Sequence, residues 1–358
     1  MKVLHTIRGL LKSGGGPSYT VPALASAQGR NGADVTILLD EDKFDYDSPQ
    51  CVNAIVHRSQ LNSNLTSFLS GFDLVHDHGV WLPCNHRIAV ASRRAGIPRV
   101  ISPRGGLQEW IWKQRRWKKE LGWQLYQKND LMDAAAIIAT ADIESDRVRQ
   151  LGFSKNIPII PNGVDVPGRI QKRKSEKRTA LFMSRIHPKK GIEELIDAWI
   201  EVSPRDWTLL LAGPDEIGLA SHLLNKVIRC GKELDVQWLG TLEGENKIEA
   251  FNRSELFILP THSENFGVSI IEAMLMGLPV VTTDQTPWID LERNGHGWII
   301  PPITRCLVEI LGKALYAPSL DLSNMGDSAR QWASGRFSWD RIGKDSLTEY
   351  EKIYQEFK

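Results

Sequence analysis

The stretch THSENFGVSIIEAMLMGLPVVTTD, residues 261–284, decides the fold. Before it lies the short apolar run LFILP, residues 256–260, which reads as a strand of a parallel sheet buried on both faces. A polar loop with Ser263, Glu264, Asn265 and Gly267 follows, then an apolar helical segment over 269–276. Gly277 stops that helix where a left-handed residue is needed, and 279–283 reads as the next strand. The whole is one βαβ unit with a glycine-bearing loop at the N-terminus of its helix.

A helix start presents unpaired N–H groups and the positive end of the backbone dipole, which seats a phosphate. Two carboxylates accompany this one: Glu264 in the loop and Glu272 a turn into the helix, with seven residues between them. Beside a phosphate they would repel it, so as ligand groups they would accept hydrogen bonds from hydroxyls. Phosphate in the middle and polyols at both ends describe a nucleotide-sugar. The spacing alone leaves a second reading open, two exposed surface charges.

Glu264-x7-Glu272, in the form ENFGVSIIEAMLMGLPVV, resembles the signature of the retaining glycosyltransferases of family 4. The resemblance implies α/β architecture of the GT-B type, two Rossmann-like domains facing an interdomain cleft. It further implies that Glu264 holds the donor sugar and Glu272 the ribose. The amides of Asn265, Phe266, Gly267 and Val268 would line the sugar and phosphate.

A chain of 358 residues exceeds one ordinary core, so two domains are expected. Its 42% hydrophobic and 24% charged content is that of a globular protein. A net charge of +1 gives no global basic footprint for nucleic acid. Cys51, Cys84, Cys230 and Cys306 are scattered without metal-ligand spacing, which reads as reduced, structural cysteine and a cytoplasmic protein. No signal peptide and no apolar run of membrane-spanning length is seen.

In the first half, a strand over 3–7 leads to SGGGP, residues 13–17, and a helix over 19–31. Glycine lets backbone approach a ligand closely, making Gly15 and Gly16 donor-site candidates, with an ordinary tight turn as the alternative. The dinucleotide fingerprint GxGxxG is not met. A strand over 73–76 ends in Asp77 and His78, polar groups at the carboxyl edge where α/β sheets bind ligands. His76 reads as structural, and His78 is open between a site residue and a structural one. The HDH triplet lacks a third metal ligand at recognisable spacing, and no metal is expected.

A strand over 99–102 is followed by Pro103, Arg104, Gly105 and Gly106. Many family members carry histidine where this chain has Arg104, and SPRG before an aromatic, basic helix resembles the exopolysaccharide and lipopolysaccharide branch. Arginine stays protonated and cannot serve as a base, but it can contact phosphate or an anionic acceptor. In 107–128, Trp110, Trp112, Trp117 and Trp123 alternate with Lys113, Arg115, Arg116, Lys118 and Lys119. Leu107, Trp110, Trp117, Leu121 and Leu125 fall roughly on one helical face. Two readings stand: a core-facing helix with a solvated basic side, or peripheral contact with an anionic membrane. PNGVD, 161–165, reads as a turn and resembles the family's close of its first domain.

Residues 167–178, with six basic residues, one acid and no apolar periodicity, suit an exposed linker between domains spanning 1–166 and 179–339. After a strand over 179–183 comes SRIHPKKG, where Arg185 and Lys190 precede a helix. Cations on a loop at a helix N-terminus predict phosphate. By resemblance these two hold the donor diphosphate. Strands over 207–211 and 236–239 end near Gly213, Thr241 and Leu242, which by resemblance enclose the nucleotide base. The helical tail, 340–358, packs back on the first domain by analogy with the family.

These readings converge on a metal-independent retaining transferase without a cofactor. It would move a hexose, UDP-glucose by branch resemblance, to a hydroxyl of a growing polysaccharide or lipid-linked saccharide. The catalytic group would be Glu264, Arg185, Lys190, His78 and Arg104. A nucleotide-sugar epimerase of the same fold, a non-catalytic nucleotide-sugar-binding subunit and a NAD-dependent oxidoreductase are the rivals.

Overall fold

The structure, a computed structural model, describes all residues except 12–14, 43, 45–48, 62–63, 115, 155, 166–176 and 232–234. Most of the expected linker and part of the SGGGP loop therefore lie outside the described residues. The chain divides into two compact units, Met1–Gly163 with Phe337–Lys358, and Val164–Arg336.

In the first unit six parallel strands form one sheet: β1 (Lys2–Ile7), β2 (Asp34–Leu39), β3 (Ala54–His57), β4 (Leu74–His78), β5 (Arg99–Ser102) and β6 (Ala136–Ile137), in the order β3-β2-β1-β4-β5-β6. The second unit has β7 (Arg178–Met183), β8 (Trp207–Ala212), β9 (Val236–Trp238), β10 (Leu256–Leu259), β11 (Val280–Thr283) and β12 (Gly297–Ile300), in the order β12-β11-β10-β7-β8-β9. Counted from its first strand, each sheet has the same doubly wound order. The order reverses between β1 and β4 in one unit and between β7 and β10 in the other. At such a switch point adjacent loops diverge to opposite faces and leave room for a ligand at the strands' carboxyl ends.

The central βαβ unit is close to its expectation. The helix runs Val268–Leu275, and Gly277 follows it with φ 69°. Hydroxyls of β11 tie down the loop before this helix: Thr282 donates to the Leu259 carbonyl at 2.8 Å and Thr283 to that of Thr261 at 2.6 Å.

Four expectations are corrected. The first helix spans Gly16–Arg30, three residues earlier than read, because Pro17 is tolerated in the first turn, where its missing N–H has no partner to lose. β4 continues two residues past His76 through His78, so Asp77 and His78 are buried strand residues as well. Arg178 is no linker residue: it opens β7, with its guanidinium on Glu255 Oε2 and the Ala317 carbonyl, each at 2.9 Å. Finally, 107–128 is not one helix. It breaks into Glu109–Lys113 and Arg116–Gly122, then a wide turn, Trp123–Gln127, before Lys128–Met132.

The wide turn adds a residue to the helical repeat, and it brings Trp123 and Gln127 inward together. Trp123 packs with Trp112 and Phe153, while Gln127 Oε1 accepts from the Trp81 amide at 2.6 Å. Trp117, Leu121 and Leu125 are left outside, 67%, 54% and 67% exposed. The core-facing reading of this segment therefore fails for its outer stripe. Among the described residues no helix is long and apolar enough to cross a membrane.

The C-terminal helix, Trp339–Phe357, lies against Gly16–Arg30 within the first unit. A side chain at Gly343 would put its Cβ 2.7 Å from the Ala27 backbone, so glycine sets how closely the two helices approach.

Candidate active site

In the second unit the switch point gathers the loop after β7 and the loop after β10. Gly191, with φ 69°, ends the 188–190 turn and starts the helix Ile192–Val202. Its missing side chain lets the turn lie against β10, since a Cβ there would sit 1.9 Å from the Pro260 carbonyl oxygen. That approach delivers Lys190 to Glu264. Their side chains form a direct ion pair, only 11% and 16% exposed. Burial works to raise the Glu264 carboxyl, but the Lys190 charge and hydrogen bond, Lys189 and the Asn265 amide together bring it below its usual value.

Lys189 was missed in the sequence. Burial lowers its ammonium to about 8, aided by Lys190, and among the described residues no carboxylate lies within 4.0 Å of it. Its side chain is therefore a poorly solvated positive charge beside the Lys190–Glu264 pair. Arg185 stands on the same loop, half exposed, at 4.0 Å from Glu216. Gly213 lies against this loop: a Cβ there would meet the Ser184 carbonyl oxygen at 1.9 Å, and its amide donates to Gly240 at 2.8 Å, just before Thr241 and Leu242.

Glu272 does not join Glu264. It accepts from Lys247 Nζ at 2.6 Å, a partner the sequence reading overlooked. Asn265, Gly267 and Val268 are at the helix start, which has no side-chain cap. The Phe266 ring is buried edge-on against Trp288, and its carbonyl accepts from Trp288 Nε1 at 2.5 Å. Phe266 can thus offer a ligand its backbone but not its ring.

The first unit has its own polar cluster at the β1/β4 switch point. Parallel register pairs His5 with His76 and Thr6 with Asp77, and period-two alternation sends them to opposite faces. One face carries His5, His76, His78 and Ser102, and the other Thr6, Asp77 and Arg99. Asp77 is pushed up to about 6 by burial, against the pull of Arg99, Asn85 and Thr6.

On the histidine face, His5 Nδ1 meets His78 Nε2 at 2.8 Å and His5 Nε2 meets Gln28 Oε1 at 2.7 Å. His76 bridges Ser102 and Tyr350. Burial, with mutual repulsion and Arg104, lowers His76 and His78 well below their usual values and His5 to about 4, so all three are neutral near pH 7. Their nitrogens lie within 4.8 Å of one another, and His5 is the third ligand whose absence had argued against a metal. Every nitrogen is nonetheless already partnered, and the Arg104 guanidinium stands 3.3 Å from His78 Nδ1. A cation there would be poorly placed.

Arg104 follows β5 with φ 53°, a strained value for a non-glycine residue. Its guanidinium reaches His78 Nδ1 and donates to Asn162 Oδ1 at 2.6 Å. The structure thus joins His78 to Arg104 and adds Asn162, which the sequence placed only in a turn. Gly15, with φ 79°, and Gly16 stand at the start of the helix after β1, with nothing within 4 Å of where their Cβ atoms would be.

Residues 14–166 match the family model described as Glycosyltransferase Family 4, and residues 168–332 that described as Glycosyl transferases group 1. The chain is 24% identical to the GDP-mannose:cellobiosyl-diphosphopolyprenol alpha-mannosyltransferase of Xanthomonas campestris, over 98% of this chain and 96% of that protein. Among solved structures it is similar to HepE of Anabaena in complex with UDP-glucose, with TM-score 0.75, 20% identity, and 98% of this chain and 100% of that one covered. Sucrose-phosphate synthase from Thermosynechococcus elongatus is alike to the same degree, with TM-score 0.75, 17% identity, and 99% of each chain covered. With both family models matched in order and the same paired sheets, the chain belongs to the family 4 glycosyltransferases of GT-B fold.

Proposed function

We propose that this glycosyltransferase moves a hexose, with retention and without a metal ion, from a nucleotide-sugar to a hydroxyl of a lipid-linked or growing saccharide. The observation that carries the reading is the buried Lys190–Glu264 pair at the β7/β10 switch point, with Lys189 and Arg185 on the same loop. The acceptor oxygen bonds to the anomeric carbon as the bond from that carbon to the phosphate oxygen breaks. The acceptor's proton passes to the departing diphosphate. Arg185, Lys190 and the start of the helix Val268–Leu275 stabilise the charge that develops there. Glu264 accepts from the sugar hydroxyls and Glu272 from the ribose, with Gly213, Thr241 and Leu242 about the base.

Two donors compete. UDP-glucose follows from the branch resemblance, and GDP-mannose is named in the relative that matches over nearly the full length. The same relative supports a diphosphate-linked lipid acceptor. The outward Trp117, Leu121 and Leu125 stripe supports peripheral contact with a membrane where such an acceptor resides.

The test is hydrolysis and transfer of UDP-glucose and GDP-mannose, with EDTA or with magnesium, by wild type, Glu264→Gln and Glu272→Ala. Glu264→Gln keeps the shape while removing the charge, and turnover should fall about a thousandfold. Glu272→Ala should chiefly weaken nucleotide binding. Wild-type turnover in Glu264→Gln would overturn the reading, and a strict magnesium requirement would overturn its metal-free form.

A further inference from the structure

The polar cluster of the first unit has a direction that its hydrogen-bond chemistry fixes. Ser346 Oγ donates to the Gly343 carbonyl at 2.7 Å, and Gln28 Nε2 donates to Ser346 Oγ at 2.9 Å. The Gln28 oxygen is then the acceptor facing His5 Nε2, so the His5 proton sits on Nε2. A neutral imidazole carries one proton, which leaves His5 Nδ1 as acceptor. His78 must therefore donate from Nε2, and its Nδ1 presents a lone pair to Arg104. Each step follows from the last, from the C-terminal helix through the first helix and β1 to β4.

The end point is a charged group held only by neutral partners. Arg104 uses its Nε–H and one N–H of each terminal nitrogen on His78 and Asn162. Among the described residues no carboxylate lies within 4.0 Å of it, and its two remaining N–H groups have no partner. Glu144, whose charge acts on Arg104 from farther off, accepts from the amides of Gly105 and Thr140 at 2.6 and 2.8 Å. A partly buried guanidinium with two N–H groups left over is suited to an oxyanion.

We infer that Ser346, Gln28, His5 and His78 form an oriented hydrogen-bond chain that positions Arg104 to receive a phosphate group of a substrate. The inference rests on the proposed function only in taking the substrates to carry phosphate. The same chemistry comes from two sources, the donor's diphosphate or a phosphate on the acceptor. Arg104 is the binding residue, and the other four act through it.

The test uses the full chain labelled with 15N in histidine and arginine. Two-bond nitrogen–proton spectra at pH 7 should show His5 and His78 neutral with the proton on Nε2. A proton on His78 Nδ1 overturns the proposal, because that atom could not then accept from Arg104, and this reading needs no variant. Inorganic pyrophosphate should shift the Arg104 Nε signal, assigned by its loss in Arg104→Lys. Gln28→Leu should weaken that titration about tenfold and disturb the His78 signals. An unchanged titration in a folded Gln28→Leu protein overturns the chain's positioning role. UDP that moves the Arg104 signal and blocks pyrophosphate assigns the phosphate to the donor. Pyrophosphate that still titrates the signal at saturating UDP assigns it to the acceptor. If neither ligand moves the signal, the proposal falls, whatever Glu264→Gln does to turnover.

Discussion

At the scale of single residues, two glycines with the same backbone angle separate conformation from crowding. Gly191 and Gly277 both have φ 69°, which costs an L-residue about 1–2 kcal/mol. At Gly277 the nearest atoms to a Cβ are 3.9 Å away, so Gly277→Ala should lose about that amount and no more. At Gly191 the Cβ would be 1.9 Å from the Pro260 carbonyl, and the turn bearing Lys190 must move. Gly191→Ala should cost about 3 kcal/mol in urea titrations, with nucleotide binding weakened in the folded remainder. Equal losses in the two variants would mean that the 188–191 turn has slack and does not position Lys190. Residues of this kind were partly legible beforehand. Glu264, Arg185 and Lys190 announced themselves because their loops are short and their neighbours are glycine and apolar runs. His5 did not, because its meeting with His78 depends on the register of two strands 73 residues apart. Local pattern holds no record of that register. The Lys247–Glu272 pair was hidden for the same reason, since each residue reads as an ordinary exposed charge on its own helix.

At the scale of elements, the segment 107–132 shows where periodicity misleads. Counting by 3.6 residues put Trp117, Leu121 and Leu125 on a face with Leu107, but Leu107 is buried before the first turn and the other three face outward. The count breaks first at Gln114, whose extended backbone ends the Glu109–Lys113 helix, and again at the wide turn Trp123–Gln127, where no residue is a helix breaker. The edge strand β3 was also missed: it is four residues long and only partly buried, which leaves no alternation to read. The buried strands β1, β7, β10 and β11 were legible because both faces are covered. The outward stripe makes an element-scale prediction. Its tryptophan emission should shift to the blue with anionic phospholipid vesicles, the binding weakening in high salt. Trp117→Ser with Leu121→Gln and Leu125→Gln should lower partitioning about a hundredfold, as expected when about 3 kcal/mol of apolar contact is lost. Donor hydrolysis in solution should be unchanged by these three substitutions. Equal partitioning of the triple variant and wild type would remove the stripe from the interface.

At the scale of the whole molecule, the buried histidines tie the stability of the first unit to pH. His5, His76 and His78 are neutral when folded, with values pulled below 6.5 by burial first and by neighbouring charge second. Below pH 6.5 the unfolded chain binds protons that the folded chain refuses, so stability must fall as pH falls. The loss continues to about 4, where His5 itself protonates in the folded state. Asp77 opposes it: its folded value of about 6 lies above the ordinary 3.8, so between the two it holds a proton only when folded and favours the native state in acid. Asp130, raised by burial as well, opposes it in the same sense; three groups against two leave a net loss, at its steepest no more than about 3 kcal/mol per pH unit between 6 and 5. The lowered Glu264 adds to the loss in the second unit, since its carboxylate stabilises above the ordinary carboxyl value and that stability goes as pH falls through its folded value. Urea midpoints at pH 7.5, 6 and 5 should therefore drop steadily, and the first unit should unfold at lower urea than the second as the pH approaches 5. A level midpoint across that range would mean that the native histidines take up protons as readily as the unfolded ones, and that burial does not hold them neutral below about pH 6.5. The oriented chain ending at Arg104 would then break as the pH falls below about 6.5, because a doubly protonated His5 has no lone pair for His78.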